Sequence, residues 1–433
     1  MRRPICIDLF SGAGGLALGF EQAGFDVVAS VEIDPIHAAT HKFNFPDAAV
    51  VCRDIKEVSA ADIRAAARIG NRIVDAVIGG PPCQGFSLIG HRVLSDPRND
   101  LVFHYLRIVE ELRPRTFVFE NVAGMATGQH HALLDELMGG FEELGYAVRK
   151  PFQILNAANF GVPQDRRRLI LMGARKGTRL PEYPLPTSRI RARRDASSAS
   201  RSLDGFEIPL CPSVRDAISD LPDIDEYSWL LETDVLTIPL PPASKYAQRL
   251  RGEEKDANDY SYKRHHHSSI LTGCLRAEHT GVSRRRFAKT LPGDTEPISR
   301  FFRLPGEGVC NTLRAGTASD RGAFTSPRPI HPVYARCISV REAARLHSYP
   351  DWFRFHKTIW HGFRQIGNSV PPLLARAIGS AVIDAIGAQR IQPSRYLKLD
   401  AEALVKMNMK EAAAFFGVDP RVIPSRQRAR KAA

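Results

Sequence analysis

Cys83 stands on a loop of glycine and proline residues, which is an unusual setting for a cysteine. The run Gly79–Ser87 reads Gly-Gly-Pro-Pro-Cys-Gln-Gly-Phe-Ser, and it follows Asp75–Ile78, whose apolar residues predict a buried strand. The two prolines fix the backbone φ ahead of the thiol and therefore its orientation. A lone cysteine is most often a small core residue, but a core position needs neither prolines nor flanking glycines. We therefore interpret Cys83 as a nucleophile that attacks an incoming substrate.

An acid and a basic cluster occur where they can join this thiol. Phe117–Val122 predicts an apolar strand that carries Glu120 near its carboxyl end. In open α/β sheets the ligand crevice lies at the carboxyl ends of strands, so Cys83 and Glu120 can converge there. Farther along the chain, Gln164–Ile170 includes three consecutive arginines. Each motif alone also fits a plainer role, a helix-capping or solvated acid for Glu120 and a solvated basic face for the arginines.

A glycine loop near the N-terminus indicates a nucleoside cofactor. Ile5–Phe10 predicts a strand, Ser11–Gly15 a glycine loop and Leu16–Ala23 a helix, although the glycines fall short of a full GxGxxG pattern. Glu32 closes the next strand about 20 residues after the loop, where an acid commonly accepts hydrogen bonds from ribose hydroxyls. Asp54 follows a third strand and suits either an adenine amino group or a helix N-cap. A simple tight turn is the alternative reading of the loop.

Five segments, taken in chain order, resemble the motifs of the DNA cytosine-5 methyltransferase family. These segments are Asp8–Gly15, Pro81–Gln84, Glu120–Val122, Gln164–Arg168 and Gln365–Val370. Five motifs in the family's order are hard to obtain by chance. The resemblance implies a class I S-adenosylmethionine-dependent fold, an α/β architecture with a Rossmann-like, mostly parallel, doubly wound sheet. It covers about residues 5–175 and 335–385, and the segment between them corresponds to the family's variable target-recognition domain.

The resemblance implies that the chain methylates carbon 5 of a cytosine in duplex DNA. Carbon 5 is a poor nucleophile, so a thiolate, here Cys83, first adds to carbon 6 of a base that has been flipped out of the duplex. Glu120 corresponds to the acid that hydrogen-bonds ring nitrogen N3, and burial would raise its pKa so that it can donate. Arg166 and Arg168 correspond to the guanidinium groups that lower the pKa of the thiol and bind the base carbonyl or a phosphate. Arg167 lies between them on the opposite face of a strand.

The same resemblance implies S-adenosylmethionine as the methyl donor. The expected cofactor-binding residues are Phe10, Gly12, Gly14, Glu32, Asp54 and Asn368. Two prolines, Pro371 and Pro372, open an apolar helix whose start can bring Asn368 beside the N-terminal glycine loop. No metal is expected, because the seven cysteines are scattered and form no CxxC pair.

The charge of the chain points to a polyanionic partner, here double-stranded DNA. The formal net charge is +13 and the pI is near 9.6. Between Lys263 and Arg328 there are twelve lysines and arginines against five acidic residues. A Thr-Leu pair in that stretch resembles the pair with which the family supports the flipped nucleotide. The expected DNA contacts are Gln84, Ser87, Arg284, Arg285, Arg286, Thr312 and Leu313. A solvated basic surface is the alternative for the arginines.

Four segments are expected along the chain. They are a catalytic and cofactor-binding domain in 1–175, a target-recognition domain in 176–334, a return to the catalytic domain in 335–395 and a basic C-terminal appendage in 396–433. No uncharged run of 18 apolar residues occurs and the cysteines are dispersed, so we expect a reduced, cytoplasmic protein without a membrane span.

The expected role is that of a monomeric modification enzyme in a bacterial restriction-modification system, with a cognate endonuclease acting on the same sites. A transfer RNA cytosine-5 methyltransferase shares these motifs, but the long insert between Arg168 and Ile338 favours a reader of duplex DNA. A DNA-binding module that has lost catalysis is a third hypothesis. The intact Cys83, Glu120 and Arg166 count against it.

Overall fold

The structure is a computed structural model of the chain, and it describes residues 2–82, 100–128, 130–191, 208–267, 269–316 and 328–423. Three residues expected in the site, Cys83, Gln84 and Ser87, lie outside the described residues.

Strands and short helices alternate through the first part of the chain, as in other α/β proteins. The strands are β1 Ile5–Leu9, β2 Asp26–Val31, β3 Ala49–Val51, β4 Ala76–Gly79, β5 Thr116–Val122, β6 Tyr146–Val148, β7 Gln153–Asn156, β8 Arg167–Arg175, β9 Leu236–Thr237, β10 Lys263–Arg264, β11 Ile270–Leu271 and β12 Tyr396–Leu397. The helices are α1 Gly15–Ala23, α2 Pro35–Asn44, α3 Ala60–Ala67, α4 Asp100–Leu112, α5 His130–Glu143, α6 Val214–Ile218, α7 Lys245–Arg251, α8 Gly281–Lys289, α9 Val340–Leu346, α10 Ile359–Asn368, α11 Pro372–Ile386 and α12 Met409–Phe416.

One large sheet organises the molecule. Its order is β3-β2-β1-β4-β5-β8-β6, and β7 also pairs with β8. The strands from β3 to β5 are parallel, whereas β8 runs antiparallel to β5, β6 and β7. The strand order reverses direction between β1 and β4, and a ligand crevice is expected outside the carboxyl ends of strands at such a switch point.

Both faces of the sheet are covered, which explains why its central strands are apolar throughout. Side chains alternate between the two faces of a strand. In β1, Cys6 packs in the core that α1 and α11 share, while Ile5 and Ile7 pack on the other side with residues of α4 and α5. The sheet is therefore doubly wound, as the resemblance implies.

Helix α11 returns to the N-terminal part of the fold and packs against α1. The contact depends on small residues, since a Cβ atom on Gly19 would lie 2.3 Å from Cβ of Ala375 and 2.6 Å from the carbonyl oxygen of Pro372. Among the described residues, one helical stretch, Ile359–Ile386, is long and apolar enough to cross a membrane, and 72% of its most apolar window is buried inside the protein.

Helix α9 ties the inserted segment to this domain through buried ion pairs. Arg345, which is fully buried, contacts Asp220 of the insert and Asp351 beyond α9, both at 2.7 Å. Arg336 pairs in the same way with Asp223 and Glu342, both at 2.9 Å. Removal of one partner of a buried ion pair strongly lowers the stability of the protein, because the remaining charge is left uncompensated. These pairs therefore fix the insert in one position relative to α9.

The segment expected to be a basic appendage, 396–433, is folded as far as residue 423. β12 pairs with β10, and Leu404 and Val405 are buried against Ala39 and Phe43 of α2. The stretch 396–423 is therefore part of the folded protein, because its apolar side chains cover a helix of the N-terminal domain. Residues 424–433, which carry most of the basic run, lie outside the described residues.

We predict that Gly19→Ala destabilises the protein by about 1–3 kcal/mol, because the added methyl group has no space against the backbone of α11. The measurement is the free energy of unfolding in urea. The matched control is Gly139→Ala in α5, where no described atom lies within 4 Å of the new Cβ. Its higher helix propensity should stabilise the protein by up to about 1 kcal/mol. Equal effects of the two substitutions would contradict the close contact between α1 and α11.

Candidate active site

The glycine loop follows β1 at the switch point of the sheet. Gly12 and Gly14 have φ angles of 54° and 102°, in the left-handed region that favours glycine. No described atom lies within 4 Å of a Cβ placed on Gly12, so the space above the loop is open. Gly14 immediately precedes α1, and the first peptide N–H groups of a helix have no acceptor within the helix. The loop can thus accept a ligand in close contact with its backbone.

Glu32 joins the loop to the end of β2. Its carboxylate accepts hydrogen bonds from the peptide N–H groups of Gly12 at 2.7 Å and Asp34 at 2.8 Å. The carboxyl group is buried, and burial raises its pKa above the usual glutamate range. Each oxygen has one protein donor and retains capacity to accept another hydrogen bond.

The other expected cofactor residues surround the same crevice to different degrees. Phe10 has a φ of 57° and packs, partly buried, against the core on the α4 and α5 side of the sheet. Asp54 caps a short 3-10 helix by accepting a hydrogen bond from the N–H of Lys56 at 3.0 Å, which is one of the two roles its sequence position suggested. Asn368 is exposed at the end of α10, next to Ser369, whose Cβ lies 2.9 Å from a Cβ placed on Gly15. The C-terminal motif thus lies beside the glycine loop.

Two further polar residues flank the loop and were not singled out from the sequence. Asp8 and Ser11 are both buried, and Oδ2 of Asp8 and Oγ of Ser11 have no hydrogen-bond partner among the described residues. Burial, together with the charge of Glu32, raises the pKa of Asp8 well above its usual range. A lone acid inside an apolar strand, directly before a glycine loop, was the signal available in the sequence.

Glu120 and Arg168 form an ion pair at the neighbouring strand ends. The antiparallel register of β5 and β8 aligns Val122 with Arg168, and Nε of Arg168 lies 2.9 Å from Oε1 of Glu120. Burial raises the pKa of Glu120, and the two nearby guanidinium groups partly offset this effect. A Cβ placed on Gly80 would lie 2.4 Å from Oε2 of Glu120. The acid therefore lies against the loop that leads to Cys83.

Asn121 holds the same loop in place. Its Nδ2 donates a hydrogen bond to the carbonyl oxygen of Pro81 at 3.1 Å, and its Oδ1 accepts one from the N–H of Val122. The residues that follow β4 are consequently held against β5 at Pro81, two positions before Cys83.

Arg166, expected as a catalytic guanidinium, is directed elsewhere. It is buried, and its terminal nitrogens donate hydrogen bonds to the carbonyl oxygens of Leu313 at 2.8 Å, Gly367 at 2.7 Å and Ser369 at 2.8 Å. With these bonds made inside the protein, the side chain holds other segments in place. This geometry gives Arg166 a positioning role in place of the expected direct one, whereas Arg168 remains beside the acid.

The candidate DNA contacts differ in their availability. On α8, Arg284 pairs with Asp225 at 2.6 Å and Arg286 with Glu296 at 3.4 Å, while Arg285 is exposed. Only Arg285 of the three is therefore directed to solvent without such a partner among the described residues.

The Thr-Leu pair lies against the residues that precede β8. Thr312 donates a hydrogen bond to the carbonyl oxygen of Asp165 at 2.7 Å, and the N–H of Leu313 donates to Oε1 of Gln164 at 3.1 Å. The side chain of Leu313 is buried. The insert thus reaches the same region as Glu120 and the glycine loop.

Comparison with known proteins identifies this constellation. The family model described as C-5 cytosine-specific DNA methylase matches residues 5–384. The chain belongs to this family. This methylase therefore transfers a methyl group to carbon 5 of cytosine in DNA.

Several named relatives of the methylase are bacterial Type II methyltransferases. It is 55% identical to Type II methyltransferase M.XorII of Xanthomonas oryzae pv. oryzae, over 99% of this chain and 96% of that protein. It is 34% identical to Type II methyltransferase M.AgeI of Thalassovita gelatinovora, over 88% of this chain and 99% of that protein. A crystal structure described as a prophage-encoded DNA modification methyltransferase of E. coli aligns with a TM-score of 0.68 at 32% identity, over 89% of this chain and 100% of that chain.

The raised pKa of Glu120 predicts a pH-dependent contribution to stability. Between the ordinary pKa of a glutamate and the raised value, the folded protein binds a proton that the unfolded chain does not, so the free energy of unfolding falls as pH rises through this window. Glu120→Gln removes this contribution. Urea unfolding between about pH 4.5 and 8 should therefore show wild type losing stability relative to Glu120→Gln as pH increases. A difference that is constant with pH would contradict a raised pKa.

Proposed function

We propose that Cys83 is the nucleophile of this methylase and that S-adenosylmethionine is its methyl donor. The proposed substrate is a specific cytosine in duplex DNA, flipped into the crevice between the ends of β1, β4 and β5. The enzyme would serve as the modification component of a restriction-modification system in the bacterial cytoplasm. The names of its relatives, Type II methyltransferases, support that last point and with it a cognate endonuclease.

The assignment of the nucleophile is carried by the state of the other cysteines. Attack requires a thiolate, and a thiol with a raised pKa supplies almost none at neutral pH. Burial raises the pKa of all six cysteines in the described part of the chain, to about 12 for four of them. These four are Cys52, Cys211, Cys274 and Cys337, and the pKa values of Cys6 and Cys310 are raised as well. Cys83 is the seventh cysteine, and it follows the loop that Asn121 fixes beside Glu120.

The proposed reaction uses these side chains in order. The Cys83 thiolate forms a bond to carbon 6 of the cytosine, and the ring electrons move to carbon 5. Glu120, whose pKa is raised by burial, donates a proton to ring nitrogen N3, and Arg168 lies beside the carboxyl group and holds it in position. After carbon 5 has gained its methyl group, a base removes the carbon-5 proton. The electrons return, the thiolate leaves and Glu120 recovers the proton from N3.

The crevice has the chemistry to hold the methyl donor. S-adenosylmethionine carries an ammonium and a sulfonium group and, when bound, supplies the methyl group. Glu32 has free acceptor capacity for the ribose hydroxyls, and the unpartnered oxygens of Asp8 and Ser11 flank the loop. Two buried acids close together also favour a cationic ligand, because it offsets the repulsion between them. Phe10, Gly12, Gly14, Asp54 and Asn368 complete the proposed set.

Helix α8 supplies the proposed phosphate contact. Val282, Arg285 and Lys289 are exposed and are spaced so that they share one face of the helix. Because Arg284 and Arg286 are held by acids of the protein, Arg285 is the arginine of this run that we propose to bind DNA. The proposed contacts at the target base are Gln84, Ser87, Thr312 and Leu313.

Trapping with 5-fluorocytosine tests the nucleophile. Bisulfite sequencing of plasmid from expressing cells first identifies the methylated site. With S-adenosylmethionine present, a duplex with 5-fluorocytosine at that site should then form an adduct that survives boiling in detergent. Release of the thiolate requires a base to remove the carbon-5 proton, and fluorine at that position cannot be removed in this way. Cys83→Ser should give no adduct, since an alcohol supplies almost no anion at neutral pH.

The matched control for trapping is Cys52→Ser, which removes a buried thiol with a pKa of about 12 and should leave the adduct unchanged. An adduct that persists in Cys83→Ser, or one that disappears in Cys52→Ser, would show that the wrong nucleophile has been assigned.

The salt dependence of DNA binding tests the proposed phosphate contact. Arg285→Gln should reduce the slope of log K against log salt by about 0.9, the value for one phosphate contact on B-DNA. Binding to unrelated sequences should weaken in parallel, since a phosphate contact carries no sequence information. Arg284→Gln is the comparison, because its guanidinium is paired with Asp225 and the slope should stay near that of wild type. An unchanged slope in Arg285→Gln would exclude this face of α8 from the interface.

A further inference from the structure

We propose that Arg166, Gln164 and His347 couple binding of the cofactor to engagement of the target cytosine. These three side chains, called the staple below, hold the recognition loop 310–316 and the segment 367–370 in fixed positions relative to each other. The proposal rests on the proposed function, because it assigns the cofactor to the glycine loop and the target base to the region of Thr312 and Leu313.

The staple is buried and its hydrogen bonds form a continuous chain. Gln164 and His347 are fully buried, and Arg166 is 1% exposed. Oε1 of Gln164 accepts a hydrogen bond from the N–H of Leu313 at 3.1 Å, and its Nε2 lies 2.9 Å from Nδ1 of His347. Nε2 of His347 lies 3.1 Å from the carbonyl oxygen of Ser369, to which Arg166 also donates.

The chain of bonds fixes the state of His347. A carbonyl oxygen can only accept, so Nε2 of His347 donates to Ser369, and Nδ1 must then accept from the amide of Gln164. Burial lowers the pKa of His347 well below its usual range, which agrees with a neutral ring. His347 therefore accepts a hydrogen bond from Gln164 and donates one to Ser369, and in this way it links Gln164 to the segment 367–370.

On one side, the backbone of the segment 367–370 packs directly against the backbone of the recognition loop. A Cβ placed on Gly367 would lie 2.2 Å from the nitrogen of Ala315 and 2.3 Å from the carbonyl carbon of Arg314. Both neighbours are backbone atoms and cannot rotate away. Arg166 bridges the same two segments through the carbonyl oxygens of Leu313 and Gly367.

On the other side, the segment touches the start of α1 just as closely. A Cβ placed on Gly15 would lie 2.4 Å from the carbonyl oxygen of Val370 and 2.5 Å from the hydroxyl of Tyr349. Gly15 is the last residue of the glycine loop and the first residue of α1. A shift of the recognition loop therefore cannot occur without moving the segment 367–370, and that segment cannot move without displacing the glycine loop. A ligand that favours one arrangement at either end favours it at the other.

The test measures this coupling directly. The affinity of S-adenosylhomocysteine is determined by calorimetry, alone and with saturating duplex that carries the site found by bisulfite sequencing. The ratio of the two affinities is the coupling, and wild type should give at least about 5-fold, the lower end of ordinary allosteric coupling. Because S-adenosylhomocysteine has no methyl group to transfer, this ratio can be measured whether or not Cys83 is the nucleophile.

Arg166→Lys keeps the charge but loses the planar fork that reaches three carbonyl oxygens. It should reduce the ratio to near one while changing the affinity of S-adenosylhomocysteine alone by less than about 3-fold, because no cofactor contact is removed. The matched control is Arg167→Lys, the same change at the adjacent, exposed position, which should keep the wild-type ratio. A ratio near one in wild type, a wild-type ratio in Arg166→Lys, or a loss in Arg167→Lys would each overturn the proposal.

A second pair of variants covers the case in which Arg166→Lys does not fold. His347→Gln retains one amide donor and one acceptor and should preserve the ratio, whereas His347→Leu retains neither and should lose it. A merely structural role would lower the melting temperature in both variants without separating their ratios. Equal ratios in the two variants would therefore also overturn the proposal.

Discussion

The close contact between α1 and α11 is the constraint on which the rest of the structure depends. Gly19 faces Ala375 and the backbone of α11, and Gly379 faces Ala23 in return, with a Cβ on Gly379 only 2.9 Å from that of Ala23. Because the two helices approach without intervening side chains, segments more than 350 residues apart along the chain form one side of a single core. The glycine loop before α1 and the motif before α11 consequently meet.

The positions that the sequence predicted best were those fixed by local rules. Strand ends, a glycine loop and an acid closing β2 follow from period, composition and spacing, so the crevice at β1 and β4 was predictable. The role of Arg166, one residue before β8, was not predictable, because the sequence pattern does not show the partners of its side chain. Those partners are carbonyl oxygens of Leu313, Gly367 and Ser369, which lie 147 to 203 residues farther along the chain. Only the tertiary fold brings them to the guanidinium.

The C-terminal segment shows a second kind of contact that the sequence does not reveal. Its basic end dominates the composition, and a short 3-10 helix followed by an eight-residue helix has too few turns to give a clear apolar period. The decisive feature was the complementary surface, Ala39 and Phe43 on α2, which Leu404 and Val405 cover. The partners of the buried ion pairs around α9 could not be predicted from the sequence for the same reason. A sequence shows that Arg345 is present but not that Asp220 and Asp351 meet it in the interior.

The backbone character of the bonds to Leu313 bears on how such enzymes diversify. Gln164 and Arg166 recognise the peptide N–H and carbonyl of Leu313, groups that every non-proline residue provides. These bonds from Gln164 and Arg166 therefore do not depend on which side chain stands at position 313. An insert of foreign sequence can dock through the same main-chain atoms. On the proposed function, in which the insert recognises DNA, a change of insert sequence would alter the target without changing these bonds.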